Sequence, residues 1–146
     1  MKTTTIRCRD LMVRDWCCDK HGFPMQITNV GDDYAYATFE GNEGDPWEFD
    51  DKDDQPQPIE ITEDILKENK WEVRCYTLLP NEHYCVIHLD KYILLWSPRV
   101  LSIWLGDEHY NNGVIADIIV PCKYVHQLQK VLRLLELNEL ADNFKI

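Results

Sequence analysis

The sequence predicts an α+β fold built in two β-rich parts, and three observations carry that prediction. Residues 16–39 break into short stretches of alternating apolar and polar character separated by tight turns. Residues 71–120 hold five further stretches of the same kind. The last quarter of the chain carries one broad apolar stripe at helical spacing. Strands followed by a helix with one apolar face indicate a sheet against which that helix packs.

The elements follow in order. "DWCC" leads into the turn "DKHG", where Gly22 is placed to accept a positive φ. "FPMQITNV" alternates Phe23, Met25 and Ile27 against Pro24, Gln26 and Thr28. "GDD" turns again and "YAYATF" supplies the next strand, giving a small meander or partial barrel over residues 1–40. Residues 41–61, which include "DPWEFDDKDDQPQP", have the composition of a solvated acidic linker or loop. Thr62 then fits a helix N-cap, with Glu63 and Asp64 in the first turn and Ile61 and Leu66 spaced as a hydrophobic staple. That helix should stop near Asn69.

From Trp71 the period of two returns. "WEVRCYTLL", "HYCVIHL", "YILLW", "VLSIWL" and "VIADIIV" are close enough together to form an antiparallel meander. Pro121 then marks a helix entrance, and "KYVHQLQKVLRLLEL" places Tyr124, Leu128, Val131 and Leu135 on one face, widened by Val125 and Leu132. The predicted organisation is a β meander (1–40), an acidic linker (41–61), and a helix, sheet and capping C-terminal helix (62–146).

Three stretches resemble a group of small proteins encoded by phages and integrated mobile elements of Bacteroidales. They are "DLMVRDW", "IEITEDILKENKWE" and "YVHQLQKVLRLLELNEL", together about a quarter of the chain and in the same order as in the group. The run Tyr124-Val125-His126-Gln127-Leu128-Gln129 looks like the tail motif of that group. The chain has Arg14 and Glu136 where the group more usually has glycine, which bears on turn geometry at both positions. The resemblance implies a phage or mobile-element accessory protein and brings no catalytic residues; with neither a signal peptide nor a membrane helix expected, the sequence points to the cytoplasm of the bacterial host.

Charge narrows the function further. The formal net charge is −11, and eleven acids against one lysine lie between Glu40 and Asp64, so the rest of the chain is close to neutral. Bulk electrostatics therefore oppose direct binding to nucleic acid or an anionic membrane. The opening "MKTTTIRCRD" has no apolar run, so no signal peptide is expected. "YILLWSPRVLSIWLG", interrupted at Ser97, Pro98 and Arg99, is too short and broken for a membrane helix.

Several candidate sites compete with plain structural readings. An EF-hand starting at Asp51 fails, because its sixth position is Pro56 and its twelfth is Thr62. Cys8, Cys17, Cys18 and His21 lack the paired spacing of a zinc knuckle, and buried thiols are the simpler reading. Cys75, Cys85, His83, His88 and His109 contain the parts of a thiol nucleophile and imidazole base, with His83 and Cys85 on one face of a strand and His88 on the other. Phosphate-binding glycine loops and a nucleophile elbow are missing from the sequence.

Two surfaces remain. Asp50, Asp51, Asp53 and Asp54 form an acidic contact, a protein-binding or nucleic-acid-mimicking surface if the carboxylates are held in fixed positions. Lys123, His126, Lys130 and Arg133 fall at i, i+3, i+7 and i+10 as a basic helix face. The expectation is a non-enzymatic module that binds another protein, with a second copy of the chain as a further option. A nucleic-acid-mimicking inhibitor of a host or defence protein is the alternative, and a Cys/His enzyme or zinc protein the second. No catalytic residue, metal or cofactor is predicted.

Overall fold

A computed structural model describes residues 6–69, 71–79, 82–89, 92–105 and 118–146. The polar loop "GDEHYNNG", His109 and the first part of "VIADIIV" lie outside the described residues. The α+β class is as expected: two antiparallel sheets, of four and five strands, with short helices. The chain divides into two compact units. One runs to Glu60 and resumes at Tyr124–Phe144; the other comprises Ile61–Lys123 and Lys145–Ile146.

The first unit is a meander of β1 (Trp16–Cys18), β2 (Pro24–Val30), β3 (Tyr34–Thr38) and β4 (Trp47–Asp50) in sequential order. Alternation along these strands sends Cys17, Met25, Ile27, Ala35, Ala37 and Phe49 into one core, joined by Ile6, Cys8 and Leu11. The register explains the small residues: Ala35 lies opposite Phe49, so an alanine leaves room for the largest side chain of the cluster. Gly22, at φ 82, turns β1 into β2 as expected. Asp19 Oδ1 accepts the N–H groups of His21 and Phe23, both at 2.9 Å, and closes that turn.

The fourth strand corrects the expected organisation. Residues 41–61 are not a connector: Trp47–Asp50 pairs with β3, and the unit boundary falls at Glu60. Acidic composition concealed this strand, because only Phe49 of its four residues is buried.

The C-terminal helix α2 (Val125–Leu134) groups with the four-stranded unit. Val125, Leu128, Val131 and Leu132 are buried as the stripe predicts, each contributing roughly 1.5–3 kcal/mol. Gln129 is buried with them, which the apolar stripe did not anticipate. Its side chain explains the grouping. Oε1 accepts from Trp16 N at 2.9 Å, and Nε2 donates to Arg14 O at 2.8 Å and Ala141 O at 3.0 Å. A fully satisfied buried amide is directional where apolar contact is not.

At the helix entrance Gln127 Oε1 accepts the Tyr124 N–H at 3.0 Å, and Val125 N donates to Ile59 O at 2.8 Å. At the exit, Glu136 N donates to Arg133 O and Leu137 N to Leu132 O, the two bonds of a Schellman motif. Its left-handed position is Glu136, at φ 62. Arg14, at φ 78, is the other non-glycine residue in that region among the described residues. The chain then forms α3 (Asn138–Asp142), and Phe144 is buried with its carbonyl accepting from Trp16 Nε1 at 2.6 Å.

The second unit opens with α1 (Glu63–Glu68), where Thr62 Oγ1 accepts from Ile65 N at 3.2 Å as an N-cap and Asn69 ends the helix. Asn69 also accepts from Lys145 N at 2.9 Å and donates to Lys145 O at 3.1 Å. The sheet follows as β5 (Glu72–Leu79), β6 (Glu82–Leu89), β7 (Tyr92–Ser97), β8 (Arg99–Leu105) and β9 (Ile118–Cys122), in order and antiparallel. Cys85, Ile87, Leu94, Trp96, Leu101 and Ile103 are buried. Pro121 lies in β9 opposite Val100, not at a helix entrance; β9 is an edge strand, where a residue without an N–H is tolerated.

Candidate functional site

The acidic segment is an ordered turn at the open edge of the first sheet. β4 is an edge strand, and its last residue, Asp50, folds the chain back. Asp50 Oδ1 accepts the N–H groups of Asp53 at 2.6 Å, Lys52 at 2.8 Å and Asp54 at 3.4 Å, and Asp50 N donates to Asp54 O at 3.0 Å. Those N–H groups, Asp53 first and then Lys52, hold its carboxyl below the usual range. Asp51 N donates to Asp33 O at 3.2 Å, while Asp51 Oδ1 accepts from Cys8 N at 2.9 Å. Asp54 Oδ2 accepts from Trp47 Nε1 at 2.9 Å.

Beyond the turn the chain stays tied down. Pro56 O accepts from Ile6 N at 3.3 Å, and Gln57 exchanges backbone hydrogen bonds with Cys18 at 2.9 and 2.8 Å. Asp53 and Glu48 are exposed, as are Asp32 and Asp33 on the preceding turn and Trp47 at the start of β4. The result is an aromatic side chain set among carboxylates whose backbone is fixed.

The four basic residues are placed differently from one another. Lys123 is half-buried in the second unit, with its carbonyl accepting from Ile61 N at 3.0 Å. Lys130 is exposed. Arg133 serves the fold: Nη1 donates to Asp15 Oδ1 at 2.5 Å, Nη2 donates to Val13 O at 3.1 Å, and Nη2 lies 3.6 Å from Asp142 Oδ1. His126 stands beside Tyr124, ring centroids 6.0 Å apart, and its Nδ1 is buried without a hydrogen-bond partner among the described residues. Burial, then the Lys130 charge, pushes its imidazole down to about 4 against the opposing pull of Asp10. It is therefore neutral at pH 7 and adds no charge to that face.

The cysteines separate into two sets. Cys8, Cys17, Cys18 and Cys122 are buried free thiols. Burial pushes Cys122 up to about 12, and burial with the nearby Asp51 carboxylate does the same for Cys8. Burial raises Cys17 and Cys18 as well. His21 is exposed in its turn. Cys75 and Cys85 face each other across β5 and β6 and form a disulfide, so Cys85 is not a free nucleophile in this state. His83, on the neighbouring pair of the same face, is engaged by Thr77 Oγ1 at 3.0 Å through Nδ1, and His88 is exposed opposite Glu72.

The sequence reading missed one constellation. Glu63, in the first turn of α1, brings a carboxylate to that disulfide, and its oxygen and both sulfurs lie within 4.8 Å of one another. The sequence did not announce it: Cys75 lies five positions before the stretch "PNE" and Cys85 three after it, so a symmetric hairpin would not pair them, and the register shift between Thr77 and Leu79 brings them opposite.

Open hollows lie in the first unit. One, of about 300 Å³, is bordered by Val13, Arg14, Gln26 and Thr38; another, of about 580 Å³, by Met12, Val30, Arg133 and Asp142. Neither gathers a nucleophile with a base. Comparison with models of protein families, with curated proteins and with solved structures finds no match.

Proposed function

We propose that this chain is an accessory protein of the phage or mobile-element kind that works without catalysis, by offering the acidic edge of its first unit to a basic surface on a protein partner. One observation carries the reading: the Asp50 side chain holds the backbone of residues 52–54, so the residues that bear the surrounding carboxylates are held in place on the edge. Preordered charges bind with a smaller entropic cost than a flexible acidic tail. Trp47, exposed beside them and oriented by Asp54, supplies the kind of aromatic anchor that dominates interface energetics.

The same order favours the sharper version, in which the carboxylates imitate phosphates and occupy a nucleic-acid groove. The left-handed conformations of Arg14 and Glu136 support the resemblance, since the group more usually has glycine at those two positions.

The test removes charge without touching the turn. Asp32, Glu48 and Asp53 are exposed, and no described hydrogen bond uses their carboxylates. Affinity capture from a bacterial lysate would compare the natural chain with the D32N/E48Q/D53N variant, each eluted with duplex DNA. A partner held by the natural chain, released by DNA and lost with the variant supports the mimic. A partner lost with the variant but indifferent to DNA supports protein binding alone. The same partners with both forms would remove the acidic edge from the account.

A further inference from the structure

We propose that Glu63, Cys75 and Cys85 form a thiol-gated site for a soft divalent cation, zinc above all, in the second unit. It is separate from the acidic edge and does not depend on that reading.

The residues converge from three elements. Cys75 on β5 and Cys85 on β6 are directly opposed, so both sulfurs leave the sheet on one face. Thr62 caps α1 and fixes its first turn, and this places Glu63 over the pair. The three donor atoms fall within 4.8 Å of one another. In a tetrahedral zinc site, sulfur and oxygen donors lie roughly 3.6–3.8 Å apart, so the carboxylate is within a small adjustment of a ligand position.

Charge explains why the set suits a cation once the disulfide opens. Reduction takes two electrons from a phosphine or a dithiol, which leave as the phosphine oxide or the disulfide; the two protons come from water or from the dithiol, and two thiols remain. Those thiols then sit beside a carboxylate, and Cys85 is fully buried with Trp96 across β7. Ionising both there would gather three negative charges in a poorly solvated place, which is costly without a counterion. A divalent cation removes that cost: it binds two thiolates and one carboxylate, releases the two thiol protons, and takes water as fourth ligand. In the oxidised chain the sulfurs are bonded to each other and the site is closed. A paired cysteine motif in a reducing compartment is more often metal-binding or redox-active than a structural cross-link.

The other four cysteines are buried thiols, each with its ionisation made harder, and none joins a cluster of three donor side chains among the described residues. That contrast makes the proposal specific.

The experiment is a cobalt titration of the full chain after phosphine reduction, followed by competition with zinc. The expected result is one equivalent of cobalt with a thiolate charge-transfer band and tetrahedral visible bands, displaced by zinc and missing from the oxidised chain. Cys75→Ser and Cys85→Ser should lose the band. Glu63→Gln, which leaves both cysteines and the Thr62 cap in place, should keep the fold by circular dichroism and weaken zinc binding by roughly tenfold or more. No charge-transfer band in the reduced natural chain overturns the site. So does a band that survives in Cys75→Ser, which would move the metal to other cysteines. Equal zinc affinity in Glu63→Gln overturns the three-ligand assignment.

Discussion

At the scale of single residues, two backbone conformations and one imidazole run against local preference. Arg14 and Glu136 hold φ values of 78 and 62, where a Cβ is disfavoured. Both conformations are imposed by neighbours: Arg14 O accepts from Gln26 and Gln129, and Glu136 closes the Schellman motif. Arg14→Gly and Glu136→Gly should each raise the unfolding free energy by roughly 0.5–1 kcal/mol, the relief of strain less the added freedom of the unfolded chain. Urea midpoints at constant slope would show it, and a loss at either position would mean the side chain does more than the backbone conformation costs. His126 carries a pH signature. Its pKa falls from 6.5 to about 4 on folding, so between those values the unfolded chain binds a proton that the folded chain does not. Stability present above pH 6.5 is then lost as pH falls toward 4, on the order of 2–3 kcal/mol. His126→Phe keeps a ring beside Tyr124 and should flatten that part of the stability profile in thermal melts.

At the scale of elements, the acidic turn and α2 show side chains acting as backbone partners. Asp50 stands to residues 52–54 as a cap stands to a helix: one oxygen gathers successive N–H groups. Asp50→Ala should accelerate amide hydrogen exchange at Lys52, Asp53 and Asp54, whereas Asp50→Asn, which keeps the accepting oxygen, should leave them near natural rates. Uniform exchange across all three forms would show the turn to be held by its flanking contacts instead. In α2 the "YVHQLQ" run has structural work at most of its positions. Tyr124 pairs with Glu60, Gln127 caps, Val125 and Leu128 fill the core, and Gln129 binds Trp16, Arg14 and Ala141. A motif this occupied by folding leaves little of itself for a ligand.

At the scale of the whole molecule, residues 61–123 form an insertion in the first unit. The chain leaves that unit at Glu60 and re-enters it at Tyr124, and these two residues pair as an antiparallel bridge, so exit and entry are adjacent. Closing so short a gap costs little loop entropy. A chain in which residues 61–123 are replaced by a short glycine-rich turn should therefore keep the fold of the first unit, read from the fluorescence of half-buried Trp16 and a cooperative melt. A molten product would show that the first unit needs the insertion to fold. Among the described residues no helix is long and apolar enough to cross a membrane.

What the sequence determined by itself is local. Gly22 in its turn, the Thr62 cap, the end of α1 at Asn69, the period-two strands and the apolar stripe of α2 all rest on interactions within a few residues, which leave a periodic trace. Only the tertiary structure decided partners. Periodicity shows that a face is buried, but not against what, so α2 read as a cap for the adjacent sheet when Gln129 ties it to Trp16, 113 positions away. Trp47–Asp50 has too few buried residues to announce a strand, and it becomes one because β3 offers it a ladder. Arg133 read as part of a basic helix face until Asp15 appeared beside it, and Cys75 and Cys85 read as candidate thiol nucleophiles until the hairpin register joined them to each other. Each of these depends on a contact between distant residues, and such a contact leaves no pattern in the neighbours of either one.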